Sequence, residues 1–122
     1  MASWKNPNFY KAMINATNGI KHALKNERNT RIQVFFGILA IILGVLLKIN
    51  LIEWVIVIST INIVIVTELI NTAIENTIDL ITSEYNEKAK IAKDVSAGAV
   101  FITCIFSAII GIIIFGTKIF FA

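Results

Sequence analysis

The chain holds one proline, one cysteine and one histidine, and only 16% of its residues are charged. Each scarcity removes a class of protein. A lone cysteine, Cys104, can form neither an internal disulfide nor a thiolate metal cluster, and within the apolar stretch VFITCIFSAIIG it reads as packed filler or a lipid-facing residue. A single histidine, His22, leaves too few parts for a histidine metal centre or a Ser-His-Asp arrangement, and its basic surroundings suggest a structural residue. The six glycines, at 19, 37, 44, 98, 111 and 116, do not build a phosphate cradle. No GxxxxGK[ST] loop and no protein-kinase HRD or DFG set occurs, so any nucleotide would have to be held by other means.

What is abundant is hydrocarbon. Hydrophobic residues make up 57% of the chain and the mean hydropathy is +0.78, well above an ordinary soluble domain. A chain of 122 residues cannot wrap that much apolar surface inside itself, because small domains leave a large share of their surface exposed. The solvent is therefore expected to be lipid. Three uncharged runs, 32–47, 54–67 and 95–117, each reach the roughly 20 helical residues that a ~30 Å hydrocarbon core requires once their flanks are added. This predicts one all-α membrane-embedded domain over 1–122, with a surface helix at about 6–26 and spans at about 31–49, 52–82 and 93–118. The connection 48–53 is expected to be a tight turn and SEYNEKAKIAKD a polar loop. No cleavable signal segment is expected, since the first 31 residues lack an apolar run of their own.

Charge placement predicts topology rather than nucleic-acid binding. Six of the eleven basic residues lie in the first 31 positions and Lys88, Lys90 and Lys93 lie in the second connection, against only Lys48 and Lys118 on the other side. The N-terminus and second connection are thus expected to be cytoplasmic. Phe9, Met13, Ile14 and the 16–20 stretch, set against Lys11, Asn15, Asn18, Lys21 and Lys25, suit an amphipathic helix lying among headgroups.

The chemistry is concentrated at the end of the second span. Glu68, Asn71, Glu75 and Asp79 are spaced 3, 4 and 4 apart and at about 100° per residue share an arc of about 80° on one helix face. A span starting near Leu51 puts its cytoplasmic edge near Ile70, with Glu68 just inside the hydrocarbon and Glu75 and Asp79 just outside. An ionisable group at membrane depth costs ~2.5–3.5 kcal/mol on insertion scales, so Glu68 must face protein or water. Four readings follow: a carboxylate neutralised by Arg28, Arg31 or Lys93; a proton or cation conduit; a divalent-metal site; or acid-base chemistry on a lipid headgroup. Mg²⁺ is commonly held by one or two carboxylates plus substrate phosphates, and Glu27 beside the first span is a possible partner for Glu75, which favours metal-phosphate chemistry.

The stretches NGIKHALKNERNTR and TELINTAIENTIDLITSEYNEKAKIAKDVSAGAV resemble the signature of the small prokaryotic diacylglycerol kinases, and the NERN, NTAIE, DL, EY and AKIAKD pieces resemble the Gram-positive undecaprenol kinase branch. The resemblance runs from about Phe9 to Gly116. It implies a homotrimeric bundle of three-span subunits, each with a surface helix, whose sites lie between subunits. It implies ATP with Mg²⁺ as phosphoryl donor and a membrane lipid alcohol as acceptor, undecaprenol favoured and diacylglycerol the alternative; the carboxylate stripe by itself keeps a non-enzymatic proton or cation conduit as a further one. Residue by residue, the resemblance implies Glu68 as catalytic base at the lipid hydroxyl, Glu27 and Glu75 as metal and nucleotide ligands, and Asn71 at the substrate. Glu84, Tyr85, Asn86, Lys93 and Asp94 fall on its nucleotide contacts. The small run from Ser96 to Ala99 opens the third span to a lipid headgroup or a neighbouring helix, with Ala97 as its substrate contact. Asn86 stands where many members carry histidine, and Asn8 and Asn15 stand near an arginine and a tyrosine of the diacylglycerol branch.

Overall fold

A computed structural model describes residues 4–5 and 7–121. Among them are four helices and no strand: α1 (Phe9–Asn26), α2 (Arg28–Leu46), α3 (Leu51–Ile81) and α4 (Glu87–Phe121). The last three are long and apolar enough to cross a membrane. Helix α1 starts at Phe9, with the Asn8 side chain accepting from the Lys11 N–H at 2.8 Å, an N-cap that supplies one of the four orphan donors of a helix start with a partner. Residue 6, where the sequence places the start of this helix, lies outside the described residues.

Helices α1 and α2 are separated by Glu27 alone, whose extended backbone (φ −109°, ψ 112°) breaks the rod. The break is held by Arg31, whose guanidinium donates to the carbonyls of Leu24 at 3.1 Å and Lys25 at 2.9 Å. A cation on the last carbonyls of α1 is favourable both as a hydrogen bond and against the negative end of the helix dipole.

The connection between α2 and α3 is the tight turn expected. Ile49 N–H bonds the Gly44 carbonyl at 3.2 Å and Lys48 N–H bonds that of Val45 at 3.3 Å, the paired bonds of a Schellman cap, which requires the left-handed φ of 53° at Lys48. Asn50 and Glu53 then form a reciprocal capping box, and Glu53 also meets Lys118 of α4 at 3.1 Å. Gly44 belongs to this corner for a steric reason. A Cβ there would lie 2.8 Å from the Trp54 ring and 3.1 Å from Ile49.

The third connection differs from the expected polar loop. Only residues 82–86 are non-helical, and α4 begins at Glu87 rather than near 93. EKAKIAKD is built of good helix formers, and the Asn86 side chain accepts from the Ala89 N–H at 3.0 Å, so the helix continues about two turns beyond the apolar run. At ~1.5 Å per residue the 31 residues of α3 and the 35 of α4 span about 46 and 52 Å, well past a ~30 Å hydrocarbon core. Both project together as a polar-tipped hairpin.

Packing follows the same logic. The buried apolar residues are Ala23, Ile49, Val57, Val64 and Ile114, whereas Thr30, Thr60, Glu68, Asn71, Thr72 and Ser96 are buried polar ones. Most large apolar side chains point outward, as they do where the surroundings are hydrocarbon and burial of polar groups is what packing must achieve.

Candidate functional site

The buried polar residues gather where α3 passes α2 and α4. Glu68 is 2% exposed and, with Thr30, the largest fully buried side chain. Its Oε2 has no hydrogen-bond partner, and Thr30 Oγ1, Thr72 Oγ1 and Gln33 Oε1 are likewise unpaired. The Gln33 amide lies beside the Glu68 carboxylate, and Glu75 and Glu27 lie close enough for their charges to act on it. Two carboxylates of α3 and that of Glu27, at the break between α1 and α2, therefore share one locality. A buried polar atom left unpaired costs free energy, so four of them in one place mark a site built for something other than its own stability.

The neutralised-carboxylate reading is corrected by the positions of the cations. Arg31 is spent on the end of α1. Lys93 is bonded to Asp79 at 2.6 Å rather than to Glu68, and Arg28 is exposed and makes no ion pair among the described residues. Among the described residues Glu68 has no counter-ion.

One turn along α3, Asn71 donates from Nδ2 to Glu75 Oε1 at 2.6 Å, and Ser96 of α4 donates from its hydroxyl to Asn71 Oδ1 at 2.6 Å. Glu75 and Glu27 are each partly exposed, with no ion pair among the described residues. No cluster of three or more His, Cys, Asp or Glu side chains among the described residues is arranged to hold a metal by itself. Two partly exposed carboxylates with open coordination beyond them are instead the oxygen-only donor set that suits Mg²⁺ carried by phosphates.

Glu84, Tyr85, Asn86, Lys93 and Asp94 come together with Asp79 around an open cleft of about 500 Å³ at the α3–α4 turn. Lys90 bonds Asp94 at 2.6 Å, so both aspartates of the cleft begin paired with lysines. Neither Ser96 nor Ala97 lines this cleft: Ala97 is exposed, while its neighbour Ser96 is buried against Asn71.

A second cavity of about 460 Å³ opens between α2, α3 and α4 within their apolar lengths, lined by Phe36, Gly37, Val57, Val64 and Phe115 among others. Gln33, Thr60, Cys104 and Ser107 are its polar groups, with the Gln33 amide 4.0 Å from the Cys104 sulfur. Gln33 thus joins the head of an apolar groove to the Glu68 carboxylate. Cys104, read from sequence as filler, lies half-buried on that groove.

Gln33, Thr30 and Thr72 are site residues that sequence reasoning passed over, and Ser96, read there only as part of a small run, was not given its bond to Asn71. One signal was available for Ser96: it lies about as far beyond the 82–86 turn as Asn71 lies before it, and in an antiparallel hairpin such positions meet. Gln33 had a weaker one, as a polar residue one turn inside an otherwise uncharged span.

The family model described as prokaryotic diacylglycerol kinase matches residues 14–115. The chain is 40% identical over 110 residues to an undecaprenol kinase of Bacillus subtilis, covering 90% of this chain and 89% of that protein. It is 38% identical over 106 residues to a diacylglycerol kinase of Synechocystis, covering 86% of this chain and 61% of that protein. Over 91 residues it is 35% identical to a diacylglycerol kinase of Escherichia coli K12, covering 75% of each.

Proposed function

The chain belongs to the prokaryotic diacylglycerol kinase family and is a lipid kinase; from that premise we propose that it moves the γ-phosphoryl of ATP to the hydroxyl of undecaprenol. The observation that carries the reading is the fully buried Glu68 carboxylate with one oxygen unpaired, lying beside Gln33 at the head of an apolar groove. A long-chain alcohol leaves its hydroxyl at the membrane interface and its tail in hydrocarbon, which is the depth of this carboxylate on α3. Undecaprenol is favoured over diacylglycerol by the motif pieces and by the Bacillus relative; diacylglycerol is the second acceptor to test, since other relatives carry that name.

Glu68 takes the proton of the attacking hydroxyl, with Asn71 and Ala97 at the acceptor. Phosphoryl transfer demands positioning and charge neutralisation more than covalent assistance from protein. Glu27 and Glu75 would hold Mg²⁺ together with the β- and γ-phosphates; the ion, when bound, offsets charge on the transferring group. Lys93 neutralises phosphate oxygens, and Glu84, Tyr85, Asn86 and Asp94 enclose the nucleotide in the cleft. The Lys93 bond to Asp79 competes with phosphate for the same ammonium, so nucleotide binding draws Lys93 from one anion toward another.

The working unit in this reading is a homotrimer in the bacterial cell membrane, with α1 amphipathic and lying among headgroups and with the N-terminus and the α3–α4 turn cytoplasmic. Insufficiency supports more than one subunit per site: among the described residues of one subunit Glu68 is buried without a counter-ion. The test is purified protein in mixed micelles with ATP, Mg²⁺ and either lipid. Phosphorylated undecaprenol is the expected product. No lipid phosphate from either acceptor, with proton or cation flux in liposomes, would replace the kinase reading with the conduit. Mixing a Glu68→Gln chain with a Glu27→Gln chain should restore activity if one site draws on two subunits; no rescue in any pairing would mean that each subunit holds a complete site.

A further inference from the structure

Ser96 is 8% exposed and Asn71 is 6% exposed, and their bond joins α4 to α3. The polarity of the chain Ser96, Asn71, Glu75 is forced from its far end. A carboxylate only accepts, so Asn71 must turn its NH₂ toward Glu75 and its carbonyl toward Ser96, whose hydroxyl can rotate to donate. Both bonds are 2.6 Å. Glu75 has three side-chain torsions, is partly exposed and has no ion pair among the described residues, so this amide is what defines its position. Asn71 is defined in turn by a hydroxyl on the other helix. Ser96 sits one turn beyond Lys93 on α4, so the same bond links the carboxylate stripe of α3 to the helix that lines the cleft at the turn.

We propose that Ser96 is a positioning residue: through Asn71 it fixes the rotamer of Glu75, occupying Oε1 and presenting Oε2 to the divalent cation of the bound nucleotide. The inference rests on the reading of Glu75 as a metal ligand. Alanine at 96 removes the donor, leaves the Asn71 carbonyl buried without a partner and frees the amide to turn away, so that Glu75 must be ordered by the ion itself. Alanine is a better helix former than serine, so α4 is not weakened by the change.

The test measures ion binding without turnover. Mn²⁺ is titrated by electron paramagnetic resonance into detergent-solubilised protein holding a non-hydrolysable ATP analogue, for the wild type, Ser96→Ala, Glu75→Gln and the double variant. Removing a group that orients a metal ligand costs roughly 10–100-fold in affinity; acting one bond further out, Ser96→Ala is expected to weaken Mn²⁺ binding about threefold to tenfold. Glu75→Gln should weaken it by at least about tenfold, and adding Ser96→Ala to it should cost nothing more, because the relay then has no carboxylate to orient. Unchanged affinity in Ser96→Ala overturns the relay and leaves the role of Glu75 standing. An equal loss with and without Glu75 also overturns it, since Ser96 would then act through packing. Unchanged affinity in Glu75→Gln overturns the metal reading, and the relay with it.

Discussion

Glu68→Gln separates a catalytic carboxylate from a structural one because the two roles move activity and stability in different directions. The substitution keeps size and hydrogen-bonding capacity and removes the base. General-base loss typically costs ~10²–10⁴ in rate, or about 2.7–5.4 kcal/mol in the barrier at ~1.36 kcal/mol per decade. The stability side follows from the helix. Glu68 and Glu75 are seven residues apart on one face of α3, about 10.5 Å along the axis, so at an effective dielectric of ~20 two full charges there repel by about 1.6 kcal/mol. Partial exposure of Glu75 lets solvent screen some of that, and Glu27 adds a further repulsion of the same sign. Among the described residues no cation balances Glu68, so the neutral amide should leave the thermal midpoint in detergent unchanged or higher. Turnover is measured as labelled lipid phosphate at saturating MgATP, with its KM for MgATP staying within a few-fold of wild type, since a base acts mainly in the transition state. Turnover within tenfold of wild type would refute the assignment. So would a defect cured by excess Mg²⁺, which would make Glu68 a ligand, or a midpoint that falls together with activity, which would make it structural; Asp94 would then be the next candidate base.

Glu75→Gln should raise the Mg²⁺ concentration needed for half-maximal rate as well as lowering the rate, because a ligand acts on the ion in both ground and transition states; an unchanged Mg²⁺ dependence would remove it from the metal set. Asp79→Asn releases Lys93 from an exposed pair, so the thermal midpoint should barely move while KM for MgATP falls a few-fold, and an unchanged KM would mean that Lys93 does not reach phosphate. Gly44→Ala drives a Cβ to 2.8 Å from the Trp54 ring and should cost roughly 1–3 kcal/mol by overpacking, read as a lower midpoint in detergent, with turnover of the folded fraction unchanged because the corner is at the other end of the spans.

Asp79 shows how a residue changes meaning between sequence and structure. On α3 alone it is the last carboxylate of a stripe, a natural structural control for Glu68 and Glu75. Its partner is Lys93, a residue of the proposed nucleotide set, so its replacement tests nucleotide binding as well as stability.

The sequence by itself determined the three spans, because a hydrocarbon slab imposes one length on any helix that crosses it. It determined the carboxylate stripe too, because a fixed rotation per residue assigns side chains to faces before any neighbour is known. It misjudged where α4 begins: polarity was taken for a loop, yet Glu87, Lys88, Ala89 and Lys90 are strong helix formers, and a helix can leave the membrane without ending. Tertiary structure alone decided what each face meets. Ser96 and Ala97 are equivalent small residues in the sequence, but one residue is about 100° of rotation, and the packing of α4 on α3 turns Ser96 to Asn71 and Ala97 outward. The same holds for Arg31, drawn to the carbonyls of α1 by the single-residue break at Glu27, and for Gln33, set beside Glu68 by the approach of α2. Periodicity specifies the direction of a side chain within its own helix; which helix stands opposite depends on crossing positions that no local repeat encodes.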